Sequence, residues 1–176
     1  MAETRWLTDD EQHAWRRLAA VTELLPAALE SQLQRDADVT HFGYWVMAML
    51  SEAPNRSLRM SELAAMSNGS QSRLSHLVAR LEDRGWVRRE RVGEDGRGYL
   101  AVLTDDGLAK VVDTAPGHVE EVRSLVFDTL TPEQIHQLSV ICGALLTRLT
   151  SPTSHPFPAA PTPVPGSSPH TPGPPI

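Results

Sequence analysis

The chain has 176 residues, with 16 Lys and Arg against 22 Asp and Glu for a net charge of −6. That length allows one domain with its own core plus a tail, and the charge excludes a generally basic nucleic-acid coat. One cysteine excludes an intramolecular disulfide framework and gives no zinc-site spacing; with no signal-peptide core or apolar run of ~18 residues, a cytoplasmic, non-membrane chain is expected.

Thr8, Asp9, Asp10 and Glu11 form a capping box, with acids where the helix dipole favours them. The long helix that starts here carries Trp15, Leu18, Thr22, Leu25, Leu29 and Leu33 at spacings of three and four, a seam wide enough for another helix. Pro26 lies inside it and is expected to bend or split it. Arg35 to Asp38 end the segment. A second helix is expected from Thr40 or His41 to Glu52, burying Phe42, Trp45, Val46, Met49 and Leu50, and Ala53 to Arg56 stop it.

After a short extended piece around Leu58, the stretch from Met60 to Ser67 reads as about two helical turns. Ser67, Asn68 and Gly69 form a tight turn into a second short helix, which Ser70 caps and a left-handed Gly85 ends. Leu74, Leu77, Val78 and Leu81 fall at i, i+3, i+4 and i+7, so they share the face that meets the core. The opposite face carries Ser72, Ser75 and His76, with Arg73 and Arg80 on its flank. Two short helices joined by such a turn are a helix-turn-helix, whose second member is free to enter a DNA major groove.

Trp86 to Arg91 reads as a strand and Gly98 to Leu103 as its partner, with V-G-E-D-G-R-G as the hairpin tip between them. Closely spaced glycines also cradle phosphate in nucleotide-binding loops, but those join a strand to a helix. Strand on both sides points to a wing instead. Residues 56–97 hold nine Arg against six acids, a balance of +3 that leaves −9 for the rest. One basic face among acidic flanks suits contact with phosphate, and a solvated salt-bridged surface has the same count.

Thr104, Asp105, Asp106 and Gly107 cap a third long helix carrying Leu108, Val111, Val112, Val119, Val122, Leu125 and Val126, which Pro116 and Gly117 are expected to bend or break. Thr131, Pro132 and Glu133 start a final helix with a seam of Ile135, Leu138, Cys142, Leu145 and Leu149. The terminal helices offer more apolar seam than a small lobe can cover, which points to a homodimer. From Ser151 onward periodicity ends, and ten of the fourteen prolines fall in those 26 residues. The expected fold is therefore mostly α with a small β-hairpin wing. A winged helix-turn-helix lobe spans about 54–103, dimerisation helices span about 8–35 and 104–150 within a 1–150 domain, and 151–176 is a Pro-rich disordered tail.

These motifs support a family resemblance. The run from Leu33 to Gly107 resembles the MarR family of bacterial transcriptional regulators in L-R-M-S-E-L-A, in S-x-S-R-L-S-x-L-V-x-R-L-E-D-R-G-W-V-R-R, and in the D-x-R of Asp95 and Arg97 ahead of V-L-T-x-x-G. The resemblance extends over roughly residues 8–150. It implies a homodimer with intertwined terminal helices, binding double-stranded DNA at a pseudo-palindromic operator, commonly as a repressor released by a small, often aromatic effector. It also places Ser70, Gln71, Ser72, Arg73, Ser75 and His76 toward base edges, Arg97 in the flanking minor groove, and Asp95 as the partner that orients Arg97. His76 and Gly96 stand where many relatives carry arginine.

The resemblance further implies an effector pocket at the joint between the dimer helices and the lobe, which in this chain would draw on Trp15, His41, Trp45 and Met49. The same aromatic and Met stripe is what helical packing looks like. Cys142 reads as structural, or as the half of an intersubunit bridge near a two-fold axis. No nucleotide loop, HExxH, CxxC or nucleophile elbow occurs, so no enzyme, catalytic residue, metal site or cofactor is expected. A second functional reading is a winged-helix scaffold for protein contact, with the Pro-rich tail as its docking ligand.

Overall fold

The computed structural model describes residues 3–66, 71–92 and 98–149. Helix α1 (Asp9–Ala37) opens with the capping box read from the sequence: Thr8 Oγ1 accepts from Glu11 N, and the Glu11 carboxylate accepts from Thr8 N. It ends on Asp38, held left-handed at φ 49°. Helix α2 (His41–Glu52) is capped by Thr40, and α5 (Asp105–Leu125) by Thr104. Between them lie strand β1 (Ser57–Arg59), α3 (Met60–Met66), α4 (Gln71–Asp83), and strands β2 (Val87–Val92) and β3 (Gly98–Leu103). Helix α6 (Pro132–Leu149) follows, its start fixed by reciprocal hydrogen bonds between Thr131 and Gln134.

A bend or break is expected at Pro26 and at Pro116, and neither proline breaks its helix: α1 and α5 run through them. The carbonyls that lose a donor belong to Thr22 and Val112, four residues upstream, and both residues are exposed. At an exposed position water can take such a bond at little cost, whereas a buried orphan carbonyl needs a partner from the protein.

Antiparallel strands in the order β1-β3-β2 make a three-stranded sheet. Leu58 pairs with Ala101, and Arg88, Arg89 and Arg91 face Val102, Ala101 and Tyr99. Gly85, at φ 74°, ends α4 and turns the chain into β2. Helix α5 then starts against Trp86 so closely that a Cβ on Gly107 would lie 2.0 Å from the Trp86 carbonyl oxygen. Thr104 locks the same corner by donating to the Gly85 carbonyl at 2.7 Å.

The core gathers around α2. Its burial is broader than the expected stripe: Tyr44 and Met47 are fully buried, while Phe42 and Trp45 are half-buried on its edge. Leu74, Leu77, Val78 and Leu81 of α4 complete the core as their spacing predicts. Each such aliphatic contributes about 1.5–3 kcal/mol on burial.

Elsewhere the seams lie open. In α1 only Leu29, Gln32 and Leu33 are buried, and Trp15 is 59% exposed. Helix α6 buries nothing, so Cys142, expected inside an apolar seam, is exposed in the single chain. Among the described residues no helix is long and apolar enough to cross a membrane.

Candidate nucleic-acid interface

Helix α4 stands with one side sealed and the other free. While its four aliphatics are buried, Gln71, Ser72 and His76 are exposed and Ser75 is half-buried beside them. A surface hollow of about 330 Å³ next to it brings Gln71 and Ser75 together with Arg59, Ser61, Arg89 and Tyr99 from α3, β1 and the wing. Ser70, Asp95, Arg97, the Ser67–Gly69 turn and the wing tip lie outside the described residues.

The arginines sort into held and unheld groups. Arg56 pairs with Asp105, Arg84 with Asp38, Arg88 with Glu90, and Arg89 with Glu82, all at 2.7–2.9 Å. Arg88, Arg89 and Arg91 alternate along the strand, and Arg88 meets its near neighbour Glu90. The Glu82 partnership comes from the end of α4, seven residues away, so strand spacing gave no hint of it. Its carboxyl is held below its usual range mainly by the hydrogen bond from the Arg89 side chain. Arg73 lays its guanidinium over the Phe42 ring. Arg59, Arg80 and Arg91 have no ion-pair partner among the described residues. Arg80 borders a second hollow of about 240 Å³ with Arg84, Thr40 and Trp86.

Behind the interface, α1, α2 and α5 enclose a polar cluster. His41 and His118 lie 6.1 Å apart between ring centroids, and His118 meets the Tyr44 ring edge-on at 4.8 Å. His118 Nδ1 is 3.4 Å from Gln32 Oε1, and Gln32 Nε2 donates to Asp36 at 3.1 Å. The His41 backbone N–H donates to Glu30 at 2.6 Å. Tyr44 Oη and Thr114 Oγ1 are buried with no hydrogen-bond partner among the described residues. Burial pushes both histidines below their usual pKa; Glu30 partly offsets this at His41, and the charge of His41 adds to it at His118. Burial also raises the Tyr44 phenol.

Of the residues expected in an effector pocket, His41, Trp45 and Met49 share α2 at four-residue spacing. His41 belongs to the cluster, Trp45 stacks on Phe42, and Met49 is buried. Trp15 does not join them within one chain. It borders a hollow with Trp6 and Leu7, about 22 Å along the helix axis from Glu30 at 1.5 Å per residue. Gln32, Tyr44, Thr114 and His118 went unread in the sequence. The signal existed, since Val111, Thr114, Ala115 and His118 repeat at helical spacing, but an expected bend or break at Pro116 divides that pattern.

A helix-turn-helix whose second helix offers a polar outer face beside a basic hairpin defines a winged-helix DNA-binding lobe. Comparison with known proteins extends that class to a family. The MarR family profile matches residues 44–98. The chain is similar to Sco3205, a MarR family transcriptional regulator from Streptomyces coelicolor whose crystal structure is in complex with DNA. The two are 48% identical with a TM-score of 0.81, covering 86% of this chain and 95% of that one. AbsC, a MarR family regulator from the same organism, is 42% identical with a TM-score of 0.77, covering 83% and 98%. The HTH-type transcriptional repressor YetL of Bacillus subtilis is 29% identical over 105 residues, 60% of this chain and 62% of that protein. The chain belongs to the MarR family of DNA-binding transcriptional regulators.

Proposed function

We propose that the protein is a cytoplasmic homodimeric repressor that binds a pseudo-palindromic operator and leaves it when a small, aromatic effector binds. The observation that carries the DNA reading is α4, with its apolar side sealed and its polar side exposed beside Arg59 and Arg80, which have no ion-pair partner among the described residues. In this reading residues 70–76 meet base edges, Arg80 meets phosphate, and Arg97, oriented by Asp95, enters the minor groove. Residues 54–103 form the DNA-binding lobe, the open faces of 8–35 and 104–150 close on a second copy, and 151–176 stand outside both as a Pro-rich tail. Repression is supported by likeness to a named repressor.

For the effector, two buried hydroxyls with no hydrogen-bond partner among the described residues, near His41 and His118, support a site at the joint of α1, α2 and α5, with Trp45 and Met49 on its α2 side. Buried hydroxyls left unmatched cost about 1–3 kcal/mol each, a penalty that a hydrogen-bonding ligand removes.

The test is a gel-shift titration on a duplex selected by the wild-type protein from a random-sequence pool. Affinity is expected to fall steeply with salt, Arg97→Ala to weaken binding to every sequence, and His76→Ala to change which sequence is preferred. An Arg97→Ala variant that binds as well as wild type removes the wing from the reading. Deleting residues 151–176 is expected to leave DNA affinity intact.

A further inference from the structure

Between α4 and the wing strands the surface dips into the hollow that gathers Gln71 and Ser75 with Arg59, Arg89, Gly98 and Tyr99. No acidic side chain lines it among the described residues. Arg89 is matched by Glu82 at 2.7 Å, so its charge is compensated. Arg59 is exposed and has no ion-pair partner among the described residues. Glu62, three residues on, directs its carboxylate to the Arg59 backbone N–H at 2.9 Å and makes no ion pair with the guanidinium. That guanidinium lies beside the first residue of β3: a Cβ built on Gly98 would stand 3.7 Å from Arg59 Nη1. Tyr99 is 42% exposed, and its hydroxyl has no hydrogen bond among the described residues.

A duplex met by α4 in its major groove and by the wing in the flanking minor groove has one sugar-phosphate backbone between the two contacts, because that backbone is the wall dividing the grooves. The wall has to cross the gap between helix and wing strands, and the hollow is that gap. Each phosphate there carries a full negative charge and oxygens that accept from a guanidinium and from a phenol. One uncompensated guanidinium and one phenol, with no acid lining the gap, match that group.

We propose that Arg59 and Tyr99 form a seat for the backbone phosphate that divides the two grooves, Arg59 supplying the charge and Tyr99 a hydrogen bond. This rests on the reading that α4 and the wing bind DNA. The seat carries no sequence information, since every step of the backbone presents the same group; it fixes the register of the lobe on the duplex.

The experiment places single methylphosphonates, which are uncharged, at each step of one half-site of the selected duplex. Each duplex is titrated over a series of salt concentrations, with thermal melting as a check on folding. Wild type is expected to lose affinity when the uncharged step lies between the base pairs met by α4 and the flanking minor groove. Arg59→Ala is expected to be indifferent to that step and to weaken binding to selected and scrambled duplexes by the same factor. Its salt slope is expected to fall by about 0.9 per protomer, so that a fourfold rise in salt costs it about 3.5-fold less affinity per protomer than wild type. Arg59→Lys keeps the charge and the slope. Tyr99→Phe is expected to lower affinity about two- to tenfold per protomer with the slope unchanged.

If wild type enriches no sequence from the pool and its binding does not fall with salt, the reading beneath the proposal fails. Where wild type does both, but Arg59→Ala keeps the wild-type slope or suffers the same penalty at the uncharged step, the DNA reading stands and the seat is overturned. A Tyr99→Phe variant that binds like wild type takes the phenol out of the seat.

Discussion

Helices α4 and α6 carry similar apolar patterns and meet opposite fates within one chain. All four large aliphatics of α4 are buried, whereas Ile135, Ile141, Leu145 and Leu149 of α6 are 36–80% exposed. The N-terminal half of α1 behaves like α6, and its C-terminal third behaves like α4. The lobe therefore holds its shape by contacts inside one chain, while the terminal helices keep an apolar face for something outside it. In the proposed homodimer that something is a second copy, and a symmetric contact uses each seam residue twice. Lobe and seam should then respond differently to dilution.

Leu74→Ala is the strongest blow to the lobe. The side chain is fully buried in a core of α2, α4 and the sheet, so the expected loss is about 2–5 kcal/mol in chemical denaturation. Since the cavity is internal to one chain, the difference from wild type should not change on dilution. Leu145→Ala is the corresponding test of the seam. Leu145 is 41% exposed in the single chain, and a leucine buried at a dimer interface is worth about 1.5–3 kcal/mol per protomer. Its expected effect is a weaker dimer by analytical ultracentrifugation, with a melting temperature that drops more as the protein is diluted. Equal losses at all concentrations would mean that the face of α6 is closed by its own chain.

The same contrast explains what could be read from residues alone. Capping residues Thr8, Thr40 and Thr104, the α4 spacing and the hairpin strands are local signals, and local hydrogen bonds or packing on a single core set the outcome. The seams of α1 and α6 are legible as apolar stripes, and the structure leaves α6 and the N-terminal half of α1 open. Contacts between distant segments left no comparable trace. The pairing of β1 with β3, the grip of Glu82 on Arg89 and the meeting of Gln32 with His118 all depend on how helices and strands are brought together. Pro26 and Pro116 do not break their helices, and the cost of a missing N–H depends on whether the orphan carbonyl meets water, which sequence does not encode.

The polar cluster sits at the joint between the two regions, and acid is the reagent that strains it. Burial holds His41 and His118 below the ordinary value of 6.5. Below that pH the unfolded chain takes up protons that the folded chain refuses, so stability is unaffected near pH 8 and falls as pH drops through 6.5. Glu82, held below its usual 4.5, loses its contribution only as pH falls past that value, so the two windows are separate. His118→Gln removes one titrating ring and is expected to shallow the acid slope between about pH 8 and about pH 5 in thermal melts. An unchanged slope would move the acid response away from the joint.

The smallest expected change in stability belongs to Glu82→Gln, which loosens the lobe at its outer edge. The Glu82 carboxylate accepts the Arg89 backbone N–H at 2.9 Å and its Nε at 2.7 Å, tying the end of α4 to the wing strand. The two side chains are 31% and 38% exposed, so losing the pair should cost no more than about 1 kcal/mol. On DNA two consequences oppose each other. Removing the carboxylate frees a guanidinium beside Gln71 and Ser75 and raises the charge by one per protomer, which strengthens non-specific binding and steepens its salt slope. Releasing β2 from α4 lets the wing move relative to the recognition helix, which weakens discrimination between the selected duplex and a scrambled one. The expected result is tighter non-specific binding together with a smaller preference for the selected site. If affinity for both duplexes falls instead, the fixed angle of the wing outweighs the freed charge, and the rigid part of the lobe extends outward to include β2.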